Sequence, residues 1–280
     1  MLPPYRIWFA TWVILTGLAV VWFVVSNFDA VRPLPPFPEP SGAIAKATSQ
    51  DWGRIALDNG CVLVNNVWNK GVAGPEFSQE IFVEAGSNPG WRWRSPWRIV
   101  PRVVSQPQMA CGDKPWDEPH RLIPEFPFQV GSRRLAADFD VRMRASGIYN
   151  LAFTMWAVRS LPVTRDNISH EIMIWNTASR QAPAGRHHGT VKIQNIDYDV
   201  YVEQGHKDDS GANTNTWMYV AFLARTPDLQ GTLAFSAFTD YLVEQKLLRP
   251  DAYITSLELG SEVSRGVGIV EIPKFALRWE

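Results

Sequence analysis

From about residue 50 onward, apolar and polar positions alternate in short runs separated by Gly, Pro, Asn, Asp and Ser. Side chains alternate faces along a β-strand, so runs of this kind predict strands with one buried face. The clearest are "CVLVNNVW", "ADFDVRMR", "YNLAFTMWAV", "HEIMIW", "GTVKIQNIDYDVYVE", "TWMYVAFLAR", "AYITSLELGS" and "GVGIVEIPKFALRW". Only "SAFTDYLVEQKLL", Ser236 to Leu248, changes to helical spacing, with Phe238, Leu242, Val243 and Leu247 recurring on one side. Many strands and one helix predict an all-β fold, two packed, curved antiparallel sheets of the sandwich or β-jelly-roll kind. No internal repeat or heptad pattern interrupts this picture.

The amino-terminal pattern is different. Ile7 to Val25 carries no charge over 19 positions. At helical rise such a run spans roughly 28 Å, close to the hydrocarbon core of a bilayer. Trp8 and Trp22 stand near its ends, where amphipathic rings prefer the interface, and Arg6 precedes it. The segment therefore predicts a transmembrane helix in residues 1–30, with the rest of the chain outside the cytoplasm, periplasmic or at the cell surface. "NFDA" is a poor cleavage site, so an uncleaved anchor is favoured over a signal whose removal would release a secreted protein. "RPLPPFPEPSG" follows, and its proline content predicts an extended, semi-rigid linker over residues 31–44. The folded domain is expected at 45–280.

The chain has 280 residues and a formal net charge of −1, with 27 basic and 28 acidic residues. That balance supplies no long-range field for nucleic acid and points to a neutral partner. Two cysteines, Cys61 and Cys111, fall in the domain expected to be exported. A disulfide and two buried thiols are both open. His187 and His188 in "GRHHGT" lack further ligands at metal spacing and read as a solvated loop. Nothing in the pattern calls for a metal or a cofactor, and the chain is expected to act as a monomer.

Parity within the strands separates two kinds of face. In "HEIMIW", Ile172 and Ile174 oppose Glu171, Met173 and Trp175. In "YNLAFTMW", Tyr149, Leu151, Phe153 and Met155 oppose Asn150, Ala152, Thr154 and Trp156. In "SLELGSE", Leu257, Leu259 and Ser261 oppose Glu258, Gly260 and Glu262. A plain solvated face would show Lys, Thr and Glu rather than Trp and Gly. Ten of the thirteen tryptophans also lie beyond the apolar amino-terminal run. Flat rings of this kind either fill a core or stack on sugars.

Glycosidic bonds are cut by two carboxyl groups, one donating a proton to the leaving oxygen and the other attacking or activating water. Glu171 and Glu262 are on separate strands and the same kind of face, so they are the candidate pair. Glu258 is about 13 Å from Glu262 along an extended strand, too far to replace either partner.

The motifs "NNVWN" (Asn65 to Asn69), "YNLAFTMW", "EIMIW", "GTVKIQNIDY", the helix and "TSLELGSE" together resemble glycoside hydrolase family 12, the β-1,4-glucanases and xyloglucanases with a β-jelly-roll fold. Order and spacing agree from about residue 57 to the carboxyl terminus. The resemblance implies a retaining endo-hydrolase of β-1,4-linked glucan (cellulose, mixed-linkage glucan or xyloglucan). Glu171 would be its nucleophile and Glu262 its acid/base. It further implies that Asn66 and Trp68 line glucose subsites, that Trp91 and Trp93 in "GWRWRSPW" are cleft aromatics, and that Met173 packs beside the reacting ring. Trp156 and Thr154 complete the expected substrate-binding set.

Four positions depart from the family pattern. Thr154 stands where an aspartate beside the nucleophile is usual, Glu258 where glutamine is usual, Val263 where proline is usual, and Gln106 where a tyrosine is common. Two alternatives follow, a jelly-roll module that binds glucan without cutting it, and a structural envelope protein that keeps only the fold.

Overall fold

A computed structural model describes residues 33–97, 102–116, 122–207 and 214–280. The predicted transmembrane segment, Ile7 to Val25, lies outside them; among the described residues no helix is long and apolar enough to cross a membrane.

Strand β8 (Leu135–Val158) organises the molecule. It runs for 24 residues through both sheets, joining runs that the sequence pattern separates into two strands. Its first half pairs with β13 (Gln230–Ala234) and β15 (Val263–Trp279). The path continues outward through β5 (Pro89–Ser95), β4 (Ser78–Glu84) and β1 (Ile44–Thr48). Its second half lies between β14 (Tyr253–Gly260) and β9 (Ile168–Ser179). Beyond β14 come β6 (Gln108–Gly112), β3 (Val62–Val64) and β2 (Arg54–Ala56), with β7 (Phe128–Gln129) also on β14. Beyond β9 come β12 (Trp217–Ala224), β11 (Ile196–His206) and β10 (Arg186–Ile193). Among the described residues all the pairings are antiparallel except β9 with β12. This is the expected all-β jelly roll.

Where β8 passes between sheets, Gly147 faces Gly266 of β15, both at positive φ. A Cβ on either would stand 2.0 Å from a backbone carbonyl oxygen of the other strand. Only glycine lets the two backbones approach this closely.

The core follows the parity of the strands. Ile172, Ile174, Leu151, Phe153, Met155, Leu257 and Leu259 are buried in the main apolar cluster. Phe153 meets Phe139 of β8, Phe275 of β15 and Phe235 of the helix at ring separations of 5.2, 6.4 and 4.9 Å, which ties the two sheets together. The helix, α1 (Phe235–Glu244), is shorter than the sequence pattern suggests. Its buried positions are Phe235, Ser236, Phe238, Thr239 and Leu242, and Lys246 at φ 58° ends the helical path. Cys61 and Cys111 form a disulfide beside the β3–β6 pairing, which resolves the question the sequence leaves open.

Three further differences have clear causes. "GTVKIQNIDYDVYVE" is a hairpin rather than one strand, because Gln194 and Asn195 both take positive φ, as a tight primed turn requires. "GWRWRSPW" is β5, an inner strand, and its period-two alternation of Trp and Arg is the signal for it. The end of the proline-rich segment, expected as a linker, also packs on the domain. Arg92 lies 4.5 Å over the Phe37 ring and bonds the Pro38 carbonyl, and Ser41 and Gly42 donate backbone N–H groups to Glu271 and Glu84 at 2.6 and 2.7 Å.

Candidate active site

The faces that parity assigns to polar and aromatic residues meet in one cleft of about 510 Å³. That size suits a bound sugar chain better than an isolated water cluster. Glu171, Glu262, Asn66, Trp68 and Trp156 all line it.

Glu171 stands on β9 with Trp156 of β8 and Tyr219 of β12 as its register partners. Trp217, two residues before Tyr219 and so on the same face, donates its indole N–H to Glu171 Oε2 at 2.9 Å. His206 of β11 packs against both of these rings, at 5.6 Å from Trp217 and 4.9 Å from Tyr219, and bonds Glu203 at 2.5 Å. Burial pushes the Glu171 carboxyl up from its usual range. His206, the Trp217 N–H and Lys114 oppose that rise, and Glu258 adds to it.

Glu262 follows β14 and is clamped by Asn150 of β8. The Asn150 carboxamide accepts the Glu262 backbone N–H at 2.8 Å and donates to its Oε2, while the Asn150 backbone N–H bonds the Glu262 carbonyl at 3.1 Å. Gln181 reaches the same oxygen at 3.3 Å. Burial and then the negative charge of Glu171 push the Glu262 carboxyl up to about 8, and only the Asn150 bond pulls the other way. The two carboxyls are therefore coupled across one cleft, and their surroundings treat them differently.

The "NNVW" stretch shapes one end. Asn65 is fully buried, with its amide on the Gln50 carbonyl at 2.8 Å, whereas the Asn66 side chain accepts the Trp68 N–H at 3.2 Å. That Asx turn presents Trp68 to the cleft. Trp52, a position the sequence reading passed over, is 51% exposed there, at φ 61°, with its N–H on the Asn65 carbonyl. An exposed aromatic held in the left-handed region is the structural sign of it. Trp116, Trp156 and Trp217 form a second aromatic group lining the cleft, with tilted to edge-to-face rings 4.5 to 5.5 Å apart.

Four expected members are buried and do not line the cleft. Trp91 and Trp93 are fully buried in the core and do not line the cleft; the Trp91 N–H bonds Ser261 at 3.1 Å, and Trp93 packs on Tyr149 at 5.9 Å. Strand parity sends both rings inward and the intervening Arg92 outward. Met173 shares the strand face of Glu171 but is fully buried against Trp175, Tyr219 and Ala221, its sulfur accepting the Trp175 N–H at 3.4 Å. Thr154 shares the strand face of Trp156 and is buried. Its register partners are Glu258 and Met173, not Glu171, and its buried hydroxyl has no hydrogen-bond partner. Gly112, at φ +88°, abuts the Thr255 carbonyl and the Phe126 ring too closely for a Cβ, and the turn it starts brings Lys114 and Trp116 to the cleft.

No family model matches the chain. Endoglucanase S of Pectobacterium parmentieri is 27% identical over 236 residues, covering 82% of this chain and 86% of that protein. The family 12 xyloglucanase of Bacillus licheniformis superposes with a TM-score of 0.77 at 24% identity, over 84% of this chain and all of that one. Endoglucanase 3 of Trichoderma harzianum, from the same family, gives 0.68 at 16% identity over 89% of this chain and all of its own. This chain is thus similar in sequence to an endoglucanase and in fold to glycoside hydrolases of family 12, the family its motifs resemble.

Proposed function

We propose that the chain is an endo-acting hydrolase of β-1,4-linked glucan that works by double displacement with retention. The observation that carries this reading is the unequal treatment of two coupled carboxyls on one aromatic-lined cleft. Glu262, pushed up to about 8, holds its proton at neutral pH and is the acid. Burial pushes Glu171 up as well, but its indole donor Trp217 and the Lys114 ammonium favour its anion, and it is the nucleophile.

In the first step Trp217 fixes Glu171 through Oε2, and Oε1 attacks the anomeric carbon while Glu262 protonates the departing glycosidic oxygen. Asn150 and Gln181 hold Glu262 through its own Oε2, so its other oxygen carries the proton. Glu262, now ionised, takes a proton from water, and the resulting hydroxide equivalent releases the sugar from Glu171. Trp52, Trp68 and Trp116 line the same cleft and offer flat faces to pyranose rings. An aromatic-lined cleft of about 510 Å³ has room for several sugar rings, which suits cleavage within a chain.

Endoglucanase S and the family 12 xyloglucanase, by their names, act on glucans of the proposed class. The amino-terminal apolar run supports a membrane-anchored domain outside the cytoplasm, working on polysaccharide near the cell surface as a monomer. Reducing-end release by the purified chain on carboxymethylcellulose, mixed-linkage glucan and xyloglucan tests the activity and ranks the substrates. Binding to all three with no release would favour the non-catalytic module.

A further inference from the structure

Lys114 Nζ lies 3.0 Å from Glu258 Oε2, and the two side chains are only 8% and 1% exposed. A buried lysine–carboxylate pair is costly to desolvate, and apolar replacements of similar shape are commonly neutral or stabilising. Its presence here therefore needs a reason beyond stability, and its position offers one. Lys114 lines the cleft beside Glu171, and its Nζ stands 5.7 Å from the centre of the Trp156 ring. Trp156 is the register partner of Glu171, and it packs against Trp217, whose N–H holds Glu171.

Building on the assignment of Glu171 as nucleophile, we propose that Lys114, aimed by Glu258, is a positioning residue whose charge favours the anion of Glu171 in the cleft. Glu258 fixes the ammonium against the Trp156 face and keeps it from swinging to form a direct pair with Glu171. A direct pair would tie up the nucleophile; a displaced cation favours its anion and leaves its attacking oxygen free. The other groups facing Glu171 are Tyr219 and Trp217 from β12, His206 with its partner Glu203 from β11, Trp156 from β8, and Glu262 across the cleft. Lys114 and Glu258, by contrast, form a buried ion pair whose two members act on Glu171 with opposite sign.

The opposite signs make the test specific. The pH dependence of kcat/KM is measured for wild type, Lys114→Met, Glu258→Gln, Lys114→Arg and the double variant Lys114→Met/Glu258→Gln, alongside ¹³C NMR titration of the Glu171 carboxyl. Lys114→Met moves the acidic limb and the Glu171 titration up by about one pH unit, the effect of one charge at partly buried range. Glu258→Gln moves both down, Lys114→Arg leaves them near the wild-type position, and the double variant returns most of the way to it. A purely structural pair would lower stability or kcat in the single variants and leave the limb where it was. An unmoved limb and an unmoved Glu171 titration in Glu258→Gln and Lys114→Met overturn the inference while the hydrolase reading stands. If wild type cleaves no glucan, that reading falls, and the Glu171 titration alone decides whether the pair acts on it.

Discussion

At the scale of single residues, the two carboxyls carry the chemistry and their neighbours carry the difference between them. Glu171→Gln and Glu262→Gln should each lower glucan hydrolysis by several orders of magnitude, because each keeps shape and removes a reacting group. Glucan binding, followed by affinity electrophoresis, should stay close to wild type in both. Retention of about half the rate by either variant would remove that residue from its assigned role. Glu262 also links stability to pH. Its folded-state value, about 8, lies above the ordinary carboxyl value of 4.5, so the native state binds the extra proton. The stability this contributes is fully present below about pH 4.5 and is lost as pH rises toward 8. The Tm of Glu262→Gln relative to wild type should therefore climb across that window; a constant difference would mean that Glu262 titrates normally. Thr154 offers a contrasting case. Its family counterpart suggests contact with the nucleophile, yet its register partners are Glu258 and Met173, and its buried hydroxyl is unpartnered. Thr154→Val should thus raise stability by about 1 kcal/mol, the cost of a buried unsatisfied hydroxyl, and leave the pH–rate profile unchanged. A displaced acidic limb would show that Thr154 does reach Glu171.

At the scale of elements, parity was the most legible signal. It placed Ile172, Ile174, Phe153 and Leu257 in the core and Glu171, Trp156 and Glu262 on the cleft face. It was not carried far enough in "GWRWRSPW", where the same alternation makes Trp91 and Trp93 core residues of β5 rather than cleft aromatics. Other features have no local signature. The union of two runs into one 24-residue β8 depends on Gly147 meeting Gly266, more than a hundred residues later in the chain. Trp52 reaches the cleft through a left-handed backbone held by Asn65, and Lys114 and Trp116 through the turn at Gly112. Sequence spacing reports none of these long-range arrangements. Gly147→Ala should destabilise the fold by more than about 2 kcal/mol in urea unfolding, since its Cβ would fall on the Arg265 carbonyl and its φ is unfavourable for alanine. A cost near zero would mean that the strands separate there at little expense.

At the scale of the whole molecule, the disulfide and the amino-terminal strap both work outside the cleft. Cys61 and Cys111 are 50 residues apart, and closing a loop of that length in the unfolded chain is worth about 4 kcal/mol in the chain-entropy model. Reduction should lower Tm well before it affects kinetics at room temperature. The anchor proposal predicts that the full-length chain pellets with membranes and resists carbonate extraction; amino-terminal sequence beginning after Ala30 would show a cleaved signal instead. The central claim is that Glu171 and Glu262 cut glucan by two successive inversions at one carbon. Proton NMR of the anomeric signal during the first minutes of hydrolysis of a soluble β-1,4-gluco-oligosaccharide tests it most directly. The account predicts that the β-anomer appears first and the α-anomer only later, by mutarotation. An initial α-signal would mean a single inversion, with Glu171 activating water rather than attacking the sugar.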